Sequence, residues 1–511
     1  MTFLFTRSIR HSFAFFLSFF FLGVIPAIGK SICLKTKDEL FNIANISNTT
    51  FVIQDNYDLD GKEISLGEDC TLFFSGGSIS NGIIRLNNTF VRCENGGALL
   101  CNTKGKISND LIDVKIFGAK GDGKTDDIEA IERAKNVMKE ENNWFKTLYF
   151  PSGIYAISKG ITIDERVVVA GNDYQNTTIK AIKPMEYMIT QNNSWFIQSI
   201  HDIAFDGGAY GKIWDKGPGG LFHPTNAHNF AFAKNAIWFP NGWIYTRCYN
   251  VRIQDVQGDC IYVGKACYGI NFRNLYLTNS INGIHLTGLN QNVKISDCNI
   301  SGIMHFGVEC ESNGGVYIEG NIIETLGYSA IFVNEHGKEV IISRNYIEYC
   351  CELGLPQLVV PSNREKILKS TQYAQITIVG GHYVPNEDLI TTNGYSFSRN
   401  IKIENNYFIN FTTHLKENDS QDRSAILVYQ VEGLEINNNH SHYSNYDLLH
   451  LIDLQYSNTW HNNSKYLRVE SNYYSNNMYP QNDNSSGVWK SISFVGANKN
   501  GEKGISNWSV K

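Results

Sequence analysis

Short apolar–polar alternations that return about every two dozen residues constrain this chain more than any other feature. The segments Val251-Arg252-Ile253, Ile270-Asn271-Phe272, Val293-Lys294-Ile295, Val316-Tyr317-Ile318 and Val340-Ile341-Ile342 recur at intervals of 19 to 24 residues, each patterned as a half-buried strand. A second series, at 260–263, 283–286, 307–310 and 330–333, runs in phase with the first. Two or three short strands per coil, separated by turns, are what a parallel β-solenoid needs. Three residues beyond the last apolar position of the first strand stand Asn321, Asn345, Asn406, Asn439 and Asn472. Stacked asparagines at a turn satisfy one another and the backbone, so an Asn ladder is expected. Leucine-rich repeats and propellers fail on pattern and period. Near Ile403, Ile436 and Val469 the coils lengthen to about 33 residues, which signals inserted loops.

Upstream, Phe117-Gly-Ala-Lys-Gly-Asp-Gly-Lys-Thr-Asp-Asp127 leads into Ile128-Glu-Ala-Ile-Glu-Arg-Ala134, and Thr147-Leu-Tyr-Phe-Pro-Ser-Gly-Ile-Tyr155 follows. The glycines mark a turn, Asp126 and Glu129 have capping-box spacing, and Ile128, Ile131 and Ala134 share one helix face. Without GxxxxGK[ST] spacing, the Asp122–Asp127 cluster reads as a structural turn rather than a phosphate loop.

These motifs resemble the opening of the pectate-lyase-like superfamily of right-handed parallel β-helix proteins, and with the coils the resemblance covers roughly residues 113 to 480. It implies an all-β fold: a right-handed parallel β-helix with a short N-terminal capping helix and a small β-rich leader. It does not select a chemistry, because that superfamily holds polysaccharide lyases, glycosidases and tailspikes. The division expected is an export signal at 1–29, a β-rich leader at 30–112 that caps the first rung, and the β-helix at 113–511, with loops inserted near 206–245 and 352–399.

Arg7, Arg10 and His11 precede an apolar run from Phe13 to Ile25, too short to span a bilayer, and Ala27 and Gly29 give a small-residue cleavage pattern. A secreted or periplasmic protein without a membrane anchor after cleavage is expected. Loss of 1–29 moves the net charge from −6 to −8, which argues against nucleic-acid binding. The 11 cysteines include no CxxC pair or zinc spacing; those in the later coils fall at inward positions and read as buried thiols.

Aligned column by column, the second strand series places Tyr262, His285, Glu309 and Phe332 at one outward position on successive coils, about 4.8 Å apart. The next outward column holds Gly264, Thr287, Glu311 and Asn334, with Lys265, Glu335 and His336 at the strand ends. Between Phe205 and Tyr245, Trp214, Trp238 and Trp243 stand among many aromatics and offer flat faces for sugar rings. The second insertion adds Arg364, Lys366, Lys369, His382 and Tyr383.

β-Elimination from a uronic acid needs a base for the C5 proton, an acid for the leaving oxygen and neutralisation of the carboxylate. The expectation is a polysaccharide lyase acting on an acidic polysaccharide: a glycosaminoglycan such as chondroitin sulfate or hyaluronan, or pectin. His285 and Tyr262 would transfer protons, Glu309 would orient His285, and Lys265 would neutralise. Glu311, Asn334, His336, Arg344 and the three tryptophans would hold substrate. Calcium is a candidate neutraliser through Asp259, Glu309 and Glu311. Hydrolysis is the alternative, since Glu309 and Glu311 at i and i+2 have backbones about 7 Å apart, compatible with an inverting pair. The polygalacturonase branch carries Asn-Thr-Asp, Asp-Asp, Gly-His-Gly and Arg-Ile-Lys motifs; here Gly258-Asp259-Cys260 and Gly283-Ile284-His285 are only loose echoes of two of them. A non-catalytic glycan-binding solenoid is the third reading.

Overall fold

A computed structural model describes residues 30–351 with breaks at 141–144, 165, 193–198, 213, 217–221, 225–229, 242–244, 266, 289, 312–313 and 335–337. Beyond 351 it describes 372–379, 398–409, 422–429, 431–443, 450–455, 467–470, 473–476, 492–495 and 508–510. The expected export signal, Trp243, His336, Asn472 and the basic residues of the second insertion lie outside the described residues.

Strands pair in parallel from coil to coil and build three sheet faces, A, B and C. In one coil these are 247–249, 251–254 and 261–263, each in register with 271–273, 275–278 and 284–286 of the next. On face C, Ile237, Ile261, Ile284, Val308, Ile331, Ile376 and Ile426 form one inward column with no solvent exposure. Each such side chain contributes about 1.5–3 kcal/mol by leaving water, so the column alone fixes the register of that face.

The corner between faces A and B is a single left-handed residue, with φ of 56° at Asp202, 53° at Asn250, 52° at Asn274, 56° at Asp297 and 57° at Arg344. Asp and Asn tolerate this region best, because a short polar side chain bonds locally. The one-residue corner corrects the first strand series. Val251–Ile253 lies on face B beside Leu275 and Leu277, whereas Ile270–Phe272 aligns with Cys248 on face A. The alternation runs through the corner almost unbroken, so two strands read as one in the sequence.

The residue after the corner points inward. In the later coils it is Asn321, Asn345, Asn406 and Asn439, all at most 1% exposed. The Asn345 Oδ1 accepts from the Asn321 backbone N–H at 3.0 Å and from its Nδ2 at 2.9 Å, and Asn406 and Asn439 repeat the pattern. Each Nδ2 also donates to a backbone carbonyl, as Asn345 does to Ile318 at 2.9 Å. The expected ladder is therefore present over these four positions.

Residues 30–107 form their own parallel sheets of similar pitch, with Thr50, Thr71 and Phe90 on successive coils. Asn109 joins them to the long sheet: its side-chain amide donates to the Val91 carbonyl and accepts the Val91 N–H, both at 2.8 Å, as a neighbouring strand would. Immediately after it, 111–113 pairs with 147–149. The helix Ile128–Met138 buries Ile128, Ile131 and Ala134, but the expected Asp126–Glu129 capping box is not formed. The N-cap is Asp127, whose carboxylate instead accepts the N–H groups of Lys120 and Gly121, and Asp126 accepts the Ile128 N–H at 3.3 Å.

All 11 cysteines are free, seven of them buried in the coils from Cys248 to Cys351. The two inserted regions are narrower than expected. Ala233–Asn241 and Gln372–Val379 are rungs of face C, pairing with 261–265 and 331–334.

Candidate active site

Face C brings Trp238, Tyr262, His285 and Glu309 onto four successive rungs at one outward position. A fifth group reaches them from the corner between faces B and C. The register slips by one residue between Val256 and Asp259, a bulge that turns Asp259 outward. Gly258 allows it, since a Cβ there would lie 2.7 Å from the Lys234 carbonyl oxygen. Asp259 is fixed by its N–H to Asn235 Oδ1 at 3.0 Å and by Asn282 Nδ2 donating to its carboxylate at 2.8 Å.

His285 sits between two carboxylates, its Nδ1 3.5 Å from Asp259 Oδ1 and its Nε2 3.8 Å from Glu309 Oε2. Glu309 is 2% exposed, and Phe332 on the next rung is 4% exposed and stacked on Phe306 at 4.6 Å. Burial pushes the Glu309 carboxyl up to about 7, reinforced by Glu311 and Asp259 and opposed by His285. Burial disfavours the charged form of His285, but the contact with Asp259 and the charges of Glu309 and Glu311 outweigh it and raise the imidazole to about 9. Both shifts favour the protonated forms: His285 keeps its proton to higher pH than a free imidazole, and Glu309 to higher pH than a free carboxyl. Glu309 Oε1 and His285 Nε2 are buried without a hydrogen-bond partner among the described residues.

Ligating atoms of His285, Glu309 and Glu311 lie within 4.8 Å of one another, a group with the donor types for a divalent cation. The two glutamates thus converge more closely than the separation of about 6.5–9.5 Å that suits an inverting pair. Tyr262 presents its ring to His285, centroids 5.3 Å apart at 85°, while its hydroxyl accepts from Thr287 Oγ1 at 3.1 Å. No described bond links that hydroxyl to His285, so the pair expected to exchange protons shares an aromatic contact instead.

Trp238 stands one rung before Tyr262, with ring centroids 6.1 Å apart, and stacks on Tyr187 at 5.6 Å and 13°. The alternation Ala236-Ile237-Trp238-Phe239 is the signal that assigns Trp238 to a strand rather than a loop. Trp214 lies elsewhere: its Nε1 donates to the Gly302 carbonyl at 2.7 Å and it packs, as Ile281 does, against the buried pair Phe230 and Ala231, securing the insertion to the β-helix. Arg344 is also remote, at the corner between faces A and B and 3.1 Å from Glu319. Lys265 and Asn334 end their face C strands at the expected positions; their side chains lie outside the described residues. Tyr187 had no signal in the sequence, because a side chain leaning across rungs places it; Asp259 was a candidate cation ligand there, but only the bulge sets it beside His285.

Residues 111–355 match the family described as rhamnogalacturonase A/epimerase, pectate lyase-like. Over these residues, just under half of its length, the chain is similar to the pectate-lyase-like superfamily of β-helix proteins, as its motifs and coils led one to expect. Among curated proteins it is similar to the pre-neck appendage protein of Bacillus phage phi29, 25% identical over 254 residues, or 47% of this chain and 26% of the phage protein. It is also similar to alginate lyase 7 of Azotobacter vinelandii, 37% identical over 84 residues, 15% of this chain and 10% of that enzyme. The matched stretch thus spans about a quarter or less of these relatives. Among solved structures, the Dettilon tailspike protein aligns with a TM-score of 0.49 and 13% identity over 72% of this chain and 62% of its own. The DFA-IIIase of Arthrobacter chlorophenolicus without its lid gives 0.46 and 11% over 73% and 100%. The family description and the alginate lyase are those of carbohydrate-acting proteins. Among the described residues, no helix is long and apolar enough to cross a membrane.

Proposed function

We propose that this β-helix is an exported glycoside hydrolase whose scissile bond lies over His285. The carrying observation is the array Asp259, His285, Glu309, with the imidazole held 3.5 and 3.8 Å from two carboxyl groups. In the sequence, Asp259 and His285 belonged to two loose echoes of polygalacturonase motifs; in the fold they touch. His285, as the imidazolium, gives a ring proton to the leaving oxygen and is then reprotonated by Glu309, which keeps its own proton toward neutrality, while Asp259, on the other side of the ring, accepts a proton from the attacking water. Trp238 and Tyr262 give the sugar rings an apolar platform. Asp259 and Glu311, with Glu309 beside them, make an acidic surround that disfavours a uronate at the cleaved bond, which weighs against elimination.

Elimination remains the second reading on one observation: His285, Glu309 and Glu311 have the geometry to hold a cation that would neutralise a uronate. The test incubates residues 30–511 with pectin, chondroitin sulfate, hyaluronan, heparin and the neutral polymers galactan and xylan. New reducing ends without absorbance at about 232–235 nm, where the unsaturated uronate product of elimination absorbs, support hydrolysis. Absorbance that rises there, and is lost on chelation, overturns it in favour of a metal-assisted lyase.

A further inference from the structure

The outward column of face C continues below Trp238 to Thr190 and Thr162, so four rungs separate Thr162 from His285. At about 4.8 Å per rung that is roughly 19 Å. Above Glu309 the same column is closed, with Phe332, Thr377 and Leu427 buried. Below Trp238 the column holds one buried residue, Thr190 at 6% exposure with its Oγ1 donating to the Trp238 carbonyl, before it reaches half-buried Thr162 beside the helix Ile128–Met138.

There it meets a cavity of about 400 Å³ lined by Lys135, Lys139 and Lys159, with Glu132, Asp164, Thr162 and Gly160. The Lys135 side chain is only 7% exposed and is held by Glu132 at 3.0 Å, and Lys139 lies 3.9 Å from Asp164. Lys159 has no ion-pair partner among the described residues, which leaves the cavity one cation in excess. Cavity and strip are joined physically. Thr162 Oγ1 is 3.5 Å from the Tyr187 hydroxyl, and a Cβ on Gly160 would lie 2.7 Å from the Tyr187 ring. Tyr187 is thus pressed flat between the cavity wall and Trp238.

One end of the strip is acidic with an imidazolium, the middle is aromatic and the far end is cationic. We infer that the lysine cavity is a distal subsite for an anionic substituent, carboxylate or sulfate, on a glycan that lies along face C with its cleaved bond at His285. This rests on the hydrolase reading for the position of the cleaved bond. The rung spacing is close to the rise of one residue in an extended glycan, so the anionic residue sits about four sugars from that bond. The substrate class is then a glycan neutral where it is cut and acidic some residues away.

Tryptophan fluorescence would follow binding of oligogalacturonates of two to eight residues, their neutral methyl esters, and sulfated galactan oligomers without uronate. In the wild type, affinity for an acidic series rises about tenfold once the oligomer reaches about five residues, and the rise shrinks with added salt. The esters lack the rise, and the series that shows it identifies the anion. In the double variant Lys139→Ala/Lys159→Ala the rise is lost. Retention of the length step in that variant, or no preference of the wild type for either acidic series over the esters, overturns the subsite. If the step is present while Glu309→Gln leaves turnover intact, the hydrolase reading fails and the subsite stands. If Glu309→Gln abolishes turnover and the step is absent, the reverse holds.

Discussion

Two buried polar columns run along this solenoid and treat their polar atoms in opposite ways. In the Asn ladder from Asn321 to Asn439 the Oδ1 atoms of Asn345, Asn406 and Asn439 each take two hydrogen bonds from the preceding coil, that of Asn321 takes one from the Cys298 N–H, and each Nδ2 reaches a backbone carbonyl. In the column of Glu309 and His285, a carboxylate oxygen and a ring nitrogen lie buried without a hydrogen bond among the described residues. A satisfied column stabilises the coils it joins, whereas an unsatisfied, charged one costs stability and persists where it has a ligand or a proton to handle.

The largest effect expected from breaking this contrast is on turnover. Glu309→Gln or His285→Gln should lower kcat/KM by about 10²- to 10⁴-fold on the glycan identified above. Unfolding free energy should stay level or rise for Glu309→Gln, because the variant no longer buries a group that ionises. If chemical denaturation shows Glu309→Gln to be strongly destabilising, the column is structural and the proposed chemistry is lost. Asn345→Ala should invert the pattern, costing about 2–3 kcal/mol of stability because the partners of a buried amide are left unpaired. Turnover per folded molecule should be unaffected by it.

Protonation sharpens the comparison further. His285 titrates at about 9 in the fold against 6.5 in the unfolded chain, so its stabilising contribution is complete below pH 6.5 and disappears as the pH rises through 9. Glu309, raised from 4.5 to about 7, adds a loss between those values. Wild-type stability should therefore fall from pH 4.5 to 9, by on the order of 3 kcal/mol across the His285 range. His285→Gln should flatten the upper part, and Asn345→Ala should lower the whole curve without changing its shape. A slope unchanged in His285→Gln would show that other groups carry it.

The smallest effect separates two tryptophans. Trp238→Ala should weaken oligosaccharide binding about tenfold, or 1.4 kcal/mol, with stability nearly unchanged. Trp214→Phe should act on stability, through its lost bond to Gly302, and equal effects of the two on binding would remove the platform role given to Trp238.

Much of this was legible from residues alone where a repeat gave the same answer several times over. The register of Tyr262, His285 and Glu309 followed from four aligned strands, and the ladder asparagines from a constant offset. Legibility failed at single events. The corner at Asn250 merged two strands, the alternation at Ala236–Phe239 went unnoticed inside a loop rich in aromatics, and Arg344, two residues beyond Ile342, sits at the corner between faces A and B and away from face C. Asp259 was visible as a residue but not as a neighbour of His285, because a bulge of one residue has no periodic signature.

The sequence by itself determined the solenoid, since inward and outward sides are set by alternation and every coil repeats the constraint. It also determined which side chains share a rung position. Only the tertiary structure decided their chemistry. Whether Glu309 holds a proton and His285 a charge depends on how deeply each is buried and which carboxylates surround it, and those are distances between coils that no spacing along the chain encodes.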